Sequence, residues 1–454
     1  MSLERARLGP GSARPSERTG AAATVAVLLA LVGLAATIWR PLAPALGPVT
    51  TDLDDFAPQV LRTVEAFREP RYVAGVVRLT LELGIPLLVV WTAWGRRLVA
   101  RVAGPSAHAP WRGGLVAAAI TLVTTLATLP LDVWIGFLHD GEWGFRTSDA
   151  GLWARDRAVT LGLSLTVAWL AGTVLVWAVR RWPRSWPWRL VVLGTVLAAV
   201  LVLVHPLVIE PLFTERTPLA EGSVRDEIET VLAAAGEPGL PISVADASTR
   251  TTRVNAYVTG LGPTRAVVLY DTILELPPEQ IAVVVAHELA HREHADLPRG
   301  VLLTAPALLV PLLLLRGLWS SPGAARLVDA RGPSDPRLVV VAVAFATLAS
   351  LLGQPIGNLL SRRAEAAADH RAVTLAEDAD VLVRTARTFT VRDLSEPEPP
   401  GWAVFLWASH PTVGDRIRAT VQQARRQDLP LPTVEELREV ERAIWHRAIP
   451  RGGD

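Results

Sequence analysis

Two histidines and a glutamate at short spacing, the H-E-L-A-H stretch at residues 287–291, carry the clearest chemical signal in the chain. The run 281–294 has the pattern of an α-helix that begins at a Pro-Pro pair. Because a helix has 3.6 residues per turn, His287 and His291 share one face and can hold one zinc ion between them. Glu288 lies beside them, where a carboxylate can deprotonate a zinc-bound water. The spacing therefore predicts metal-assisted hydrolysis.

A catalytic zinc needs a third protein ligand and an open position for water. Downstream, the alanine-rich segment 358–369 is predicted to be helical and places Glu365 and Asp369 four residues apart on one face. One of these carboxylates can bind the metal while the other accepts a hydrogen bond from a ligand histidine. His294 is a rival third ligand, because it follows His291 by three residues on the same helical face.

Long apolar runs indicate an integral membrane protein. Half of the residues are hydrophobic and the mean hydropathy is positive. The second run contains Arg78 and Glu82, which at i,i+4 can pair or face a water-filled interior. Seven runs are long enough to cross a bilayer as helices, at residues 21–39, 76–94, 114–137, 159–179, 190–209, 301–319 and 338–356.

The predicted spans place both halves of the metal site on one side of the membrane. His291 shortly precedes the sixth run and Glu365 shortly follows the seventh. Two crossings separate them, and an even number of crossings returns the chain to its starting side. At 1.5 Å per helical residue, both ligands lie within about 15 Å of the ends of those spans. We therefore expect a metal site at or near one membrane face.

The segment between the fifth and sixth runs is predicted to be a small α/β unit. Ser223 and Asp226 suggest a capping box that opens a helix to Ala235, and Gly236 closes it. Alternating residues at 242–245, 253–259 and 266–270 predict three strands.

Composition excludes several other chemistries. With no cysteine, the chain can form neither a disulfide framework nor a thiolate zinc site. A net charge of +1 argues against a nucleic-acid partner. All basic residues are arginine, which is typical of a GC-rich genome, so we expect a bacterial plasma-membrane protein.

Several segments together resemble the CAAX prenyl protease 1 family, which are seven-span membrane zinc endopeptidases of the gluzincin class. Besides the H-E-x-x-H helix, the matching segments are GFRT at 144–147, GLWARD at 151–156, IEPLF at 209–213, TPL at 217–219, NAY at 255–257, LYDT at 269–272, the stretch 361–369, SHP at 409–411 and RI at 416–417. The resemblance covers most of the chain.

The resemblance implies a role for each matching position. It implies His287, His291 and Glu365 as the ligands of one zinc ion per chain and Glu288 as the general base. Asp369 would support a ligand histidine, and His410 would stabilise the transition state. Asp296 matches as well and is expected to position the end of the zinc helix without binding metal.

The family also implies a strand beside the zinc that pairs with extended substrate backbone, a case of β-augmentation. In this chain that strand would contain Asn255, Ala256 and Tyr257, with Asn255 holding the peptide.

The sequence thus predicts a polytopic α-helical membrane protein of about seven transmembrane helices with a small α/β gluzincin-type zinc peptidase domain. We divide it into a basic tail (1–20), a five-span membrane region (21–209), the first part of the peptidase domain (210–299), a two-span hairpin (300–357) and the second part of the peptidase domain with the C-terminal tail (358–454). The expected partners are a peptide or membrane-protein substrate and the lipid bilayer. Nothing in the sequence specifies an oligomeric state.

Two alternatives remain open from the sequence. One is a membrane quality-control metalloprotease of the heat-shock type, against which seven spans instead of about four argue. The other is a catalytically inactive membrane scaffold or transporter, against which the complete set of ligands and base argues.

The side of the membrane on which the zinc site lies is expected from the family to be the cytosol. The loops 95–113 and 180–189 each carry four arginines and no acidic residue, and the positive-inside rule would place them in the cytosol and the zinc site outside. Arginines flank the spans on the opposite side in similar number, so the charges alone do not outweigh the family.

Overall fold

Six long apolar helices dominate the computed structural model, which describes residues 50–104, 109–260 and 262–448. All six are long and apolar enough to cross a membrane. They are α1 (Pro58–Trp91), α3 (Pro110–Asp132), α4 (Ala150–Arg181), α5 (Trp186–Val204), α8 (Asp296–Trp319) and α10 (Val339–Ala376), with a short α2 (Ala93–Ala103) after α1. Six of the seven predicted spans are therefore present, and the first, at 21–39, lies outside the described residues.

The membrane helices extend beyond the predicted spans. A π-helical segment at Val133–His139 prolongs α3, and another at His205–Ile209 prolongs α5. The last span and the helix that carries Glu365 form one continuous helix, α10. Large apolar side chains such as Val196 and Leu352 stay exposed along these helices, as expected for surfaces that contact lipid.

A four-stranded sheet lies between α5 and α8 in the sequence. Its strands are β1 (Arg216–Pro218), β2 (Ile242–Ala245), β3 (Ala256–Thr259) and β4 (Ala266–Tyr270), in the order β1-β2-β4-β3. β2 and β4 are parallel, and β3 pairs antiparallel with β4 at the edge of the sheet. Helix α6 (Ser223–Ala234) precedes β2, and α7 (Pro278–Glu293) follows β4.

Two local expectations need correction. Gly222 is the N-cap of α6 and no side chain caps this helix, so the capping box at Ser223 and Asp226 is wrong. The backbone carbonyl of Gly222 accepts from the amide of Asp226 instead, while Gly236 does end the helix region with a positive φ of 72°. The strand predicted at 253–259 begins only at Ala256, and before it Thr251 forms an isolated bridge with Arg146 outside the sheet.

The C-terminal part of the chain folds back onto α7. The remaining α-helices of six or more residues in the described part of the chain are α9 (Pro322–Leu327), α11 (Ala379–Asp393), α12 (Gly401–Trp407), α13 (Val413–Gln427) and α14 (Val434–Ala448). Buried apolar residues from α6, α7, the sheet, α10 and α11 form one core, which includes Ile228, Leu269, Val285 and Val373. This core packs α7 against the part of α10 that follows Ile356, and that contact determines the geometry of the site.

Candidate metal centre

The imidazoles of His287 and His291 converge on one point on the surface of α7. Their Nε2 atoms are 3.1 Å apart. Glu365 reaches the same point from α10, with Oε2 3.2 Å from His287 Nε2 and Oε1 3.5 Å from His291 Nε2. The packing of α7 against α10 therefore brings together three groups that lie far apart in sequence.

These three groups fit a zinc ion. Ligand bonds of about 2.0–2.1 Å in a tetrahedron put neighbouring ligand atoms about 3.3–3.4 Å apart, close to the separations found. The Nδ1 atoms of both histidines face carboxylates, which can only accept a proton, so we place the ring hydrogens there. Both Nε2 atoms then present lone pairs to each other and to the Glu365 carboxylate. A cation at this point satisfies all three.

Asp369 supports His287 from the next turn of α10. Its Oδ1 lies 2.9 Å from His287 Nδ1, an ion-pair distance whose geometry falls short of a well-formed hydrogen bond. Arg416 on α13 holds the same carboxylate through two hydrogen bonds of 2.8 and 2.6 Å. The guanidinium thus keeps Asp369 ionised and oriented towards the histidine.

His291 has a carboxylate of its own. His291 Nδ1 donates to Asp296 Oδ2 at 2.9 Å, and Asp296 is the first residue of α8. The sequence suggested only that Asp296 positions the end of the zinc helix. In the structure Asp296 contacts the His291 ring directly. This contact is possible because α7 and α8 meet at Ala295, whose φ of 56° turns the chain sharply.

Protonation of the two histidines competes with metal binding. Burial lowers the pKa of His287, but Asp369 and Glu365 more than offset this and raise it to about 9. Burial likewise lowers the pKa of His291, while Asp296 and Glu365 raise it to about 10. Metal binding at neutral pH therefore has to displace protons.

Glu288 lies at a distance from the two histidines that suits a general base and not a metal ligand. Its carboxylate is within 4.8 Å of the two imidazole nitrogens, whereas Glu365 approaches them to 3.5 Å or less. Burial raises the pKa of Glu288 above its ordinary value, and the neighbouring histidines lower it again in part. A carboxylate with a raised pKa accepts a proton from water more readily.

His410 lies beside Glu365. It lies in the loop between α12 and α13, its side chain is 63% exposed, and its Nδ1 is 2.9 Å from Glu365 Oε2. Because the ring is exposed, a bound substrate can reach it. Its role in transition-state stabilisation stays a prediction.

The three residues of the predicted substrate strand occupy different places. Asn255 is exposed immediately before β3, and Ala256 is buried against the core. The Tyr257 hydroxyl bonds Glu210, away from the histidines. Because β3 is an edge strand, its outer backbone groups are free to pair with an extended peptide.

A cavity of about 220 Å³ opens between β3, α7, α11 and α13. His287, Glu288, His410 and Arg416 line its polar side, and Asn255 lies at its rim. Its other walls are mostly apolar, formed by Val254, Ala256, Val283, Val284, Leu382, Ala386 and Phe389 with Thr385 and Thr420. The cavity can hold a small to medium apolar side chain next to the metal site.

His294 takes no part in the cluster. It is the C-cap residue of α7 and does not belong to the compact group of ligand atoms around His287 and His291, whereas the Glu365 carboxylate lies 3.2 and 3.5 Å from their Nε2 atoms. Glu365 is therefore the better-placed third ligand. Arg416 is the participant whose role the sequence did not reveal, because a single arginine in a helix has no diagnostic spacing.

Comparisons with known proteins identify the family of this chain. Residues 218–424 match the model of peptidase family M48, and residues 70–215 match the CAAX prenyl protease N-terminal domain of five membrane helices. The chain belongs to the CAAX prenyl protease 1 family of M48 peptidases. Membership makes it an integral-membrane metalloprotease.

Individual relatives of the M48 family show the same likeness. An uncharacterized metalloprotease, YhfN of Bacillus subtilis, is 28% identical over 66% of this chain and 71% of its own length. The CAAX prenyl protease 1 of Saccharomyces cerevisiae is 30% identical over 38% of each chain, and the homolog of Oryza sativa is 29% identical over 38% of this chain and 41% of its own. The crystal structure of S. mikatae Ste24p has the same fold, with a TM-score of 0.69 over 90% of this chain and 100% of the other at 20% identity.

Proposed function

We propose that this M48 protein is a zinc-dependent endopeptidase that cleaves peptide bonds in extended segments presented at the membrane face. The observation that carries the proposal is the convergence of His287, His291 and Glu365 on one point. The Glu288 carboxylate lies within 4.8 Å of the two imidazole nitrogens. One zinc ion per chain would occupy this point.

The residues divide the reaction among them. A bound zinc ion supplies Lewis acidity that polarises the scissile carbonyl. Glu288 takes the proton from the attacking water and passes it to the leaving amine. His410 donates a hydrogen bond to the developing oxyanion, which stabilises the transition state more than the bound substrate. Asp369 and Asp296 keep the two ligand rings in place.

The substrate is proposed to be a peptide or a segment of a membrane protein. The outer edge of β3 can pair with its backbone, Asn255 can hold it from the rim of the cavity, and the apolar wall of the cavity can receive one of its side chains. Relatives are named CAAX prenyl proteases, yet nothing in this cavity requires a prenyl group. We further propose that the host membrane is a bacterial plasma membrane and that the site faces the cytosol.

The Glu288→Gln variant tests the mechanism. We expect it to retain stoichiometric zinc, measured by elemental mass spectrometry on detergent-purified protein, while hydrolysis of an internally quenched peptide falls by at least about 100-fold. Glu293→Gln is the matched control, because Glu293 lies on the same helix and pairs with Arg371 away from the site. Activity of Glu288→Gln within tenfold of wild type would remove Glu288 as the base.

A protein that binds zinc but shows no hydrolysis in the wild type would instead favour the inactive scaffold. The assay should therefore include a mixture of membrane-protein peptides, with cleavage sites identified by mass spectrometry.

A further inference from the structure

An arginine-rich cavity of about 450 Å³ lies apart from the metal centre, between the membrane helices and the peptidase domain. α1, α3 with its π-helical extension and α4 form its walls, and Arg250 and Thr251 from the segment between β2 and β3 cover it. α3 packs against both α1 and α4 and, with its π-helical extension, contributes Leu131, Asp132, Ile135 and Gly136 to the lining. None of the ligands or the base described above lines it.

This cavity is at the same end of the spans as the metal centre. The loop that joins α3 to α4 lines it, and that loop touches the peptidase domain where Arg146 bridges Thr251. The cavity therefore lies near the ends of the membrane helices, where the headgroups of a bilayer are expected.

Charge inside the cavity is unbalanced. Five arginines and three aspartates line it, a net charge of +2. Each of the three aspartates is paired with an arginine of the lining: Asp140 with Arg71, Asp132 with Arg78 and Asp156 with Arg250. Residues just outside the cavity do not balance this charge. Glu82 also pairs with Arg78. Two further arginines lie close as well, Arg155 beside Asp156 and Arg253 beside Asp140.

Two guanidinium groups remain without an acidic partner. Within the described residues, neither Arg146 nor Arg157 has a carboxylate oxygen within 4.0 Å. Arg146 donates to the carbonyls of Phe137 and Ser148, which fixes its position. Arg157 is exposed and only stacks near Trp153, 5.6 Å from the ring centroid. A guanidinium presents a planar set of N–H donors and is the protein group best suited to phosphate oxygens.

The rest of the wall is apolar. Ala74, Gly75, Leu131, Ile135, Phe145 and Trp153 line the cavity beside the arginines. A ligand that fits both parts carries an anionic phosphate and an apolar portion. A free phosphate would satisfy only the arginines.

We propose that this cavity binds the phosphate of an anionic phospholipid, with the headgroup at Arg146 and Arg157 and the first part of the acyl chains leaving between α1 and α4. A bound lipid would neutralise the excess charge and join the membrane helices to the segment that carries Arg250. This site is separate from the metal centre and does not depend on the proposed hydrolysis.

Lipid binding by detergent-purified full-length protein tests the proposal. Native mass spectrometry during titration with dioleoylphosphatidylglycerol should show one preferred site, with dioleoylphosphatidylcholine at least about tenfold weaker, since its headgroup has no net charge. Arg157→Gln should weaken phosphatidylglycerol binding about tenfold, and Arg157→Lys should restore part of it, because a lysine keeps the charge but not the fork. Arg97→Gln is the matched control: Arg97 is equally exposed but lies at the other membrane face, and its loss should change nothing.

A steric variant gives an independent readout. A Cβ at Gly136 would meet nothing closer than Trp153 Nε1 at 3.8 Å, so Gly136→Leu is expected to fold and to fill the cavity while leaving both arginines in place. It should weaken phosphatidylglycerol binding as Arg157→Gln does. Unchanged binding in both variants would overturn the site, and equal affinity for phosphatidylcholine would overturn the role of charge. Inorganic phosphate that competes fully at micromolar concentration would show a soluble anion, not a lipid, to be the occupant.

Discussion

Arg416 grips the carboxylate of Asp369 with two parallel hydrogen bonds, Nε to Oδ2 and Nη2 to Oδ1. The same Oδ1 lies 2.9 Å from the Nδ1 of a ligand histidine, His287. An arginine of α13 therefore acts on the metal centre through two intermediate groups. The C-terminal helices are thus part of the site, although they supply no ligand.

Replacing Arg416 with alanine should weaken zinc binding by about 10–100-fold, the range typical of groups that orient a metal ligand. Asp369 would remain, but free to rotate away from His287. The affinity can be measured by competition with a chromogenic chelator. Arg425→Ala provides the control, because Arg425 is an exposed arginine on the same helix. An unchanged zinc affinity in Arg416→Ala would show that Asp369 holds its position without the arginine.

The identity of the third ligand can be tested by substituting Glu365 and His294 separately. Glu365→Gln should lose stoichiometric zinc, because an amide is a much poorer zinc ligand than a carboxylate. His294→Ala should keep it, since His294 lies at the C-terminal cap of α7 outside the cluster. Metal content and elution as a monodisperse species are measured on the same sample. The opposite result would transfer the role of ligand to His294.

Much of this site was accessible from the sequence because its parts obey local spacing rules. The helix with His287 and His291 and the turn relation of Glu365 to Asp369 follow from a period of 3.6. Strands β2 and β4 have the predicted bounds because their buried residues follow a short apolar pattern. β1 was missed, since three residues that end in Pro218 carry no such pattern.

Long-range relations were not accessible in the same way. No spacing links Arg416 to Asp369 or Asp296 to a histidine ring, since these contacts arise only when α13 and α8 pack beside α7. The arginine cavity has the same origin. Its charges come from α1, α3, α4 and a loop of the peptidase domain, and only their ion pairs show which arginines are left over.

His410→Ala should lower kcat by about 100-fold or more and change KM little, because an oxyanion donor acts chiefly in the transition state. The proximity of His410 Nδ1 to Glu365 Oε2 offers another role, in which the ring positions the third ligand. Zinc content separates the two roles: retained zinc with a lost kcat supports the donor, and lost zinc supports the positioning role. Equal losses in kcat and in substrate affinity would contradict the donor.

Asp393 at the end of α11 should make stability depend on pH. Burial raises the pKa of its carboxyl to about 6, against the nearby arginines Arg253 and Arg392, which lower it. A raised folded-state pKa means that ionisation costs folding free energy: the cost is absent below the ordinary value near 4, grows as pH rises to about 6, and is constant above.

Asp393→Asn removes this cost. It should raise the thermal midpoint in detergent by about 2–6 °C at pH 8, for a gain on the order of 1–3 kcal/mol, and have little effect at pH 4.5. Asp52→Asn is the control at an exposed aspartate. A shift of equal size at both pH values would assign the effect to packing and not to ionisation.

The side of the membrane that holds the metal centre can be decided with reporters fused after Asp454. In the described part of the chain no candidate span follows Ala376, and residues 449–454 are too few to cross a bilayer, so a reporter at Asp454 shares the side of the centre. We expect the cytosol. The arginine-rich loops 95–113 and 180–189 favour the reverse, since the positive-inside rule would place them in the cytosol and the metal centre outside.

A green fluorescent protein that matures only in the cytosol should fluoresce after Asp454, and an alkaline phosphatase, active only in the periplasm, should be inactive there. The same pair fused after Arg184, between α4 and α5, should give the opposite pattern, which makes the two fusion sites controls for each other. Active phosphatase after Asp454 together with fluorescence after Arg184 would place the metal centre outside the cell.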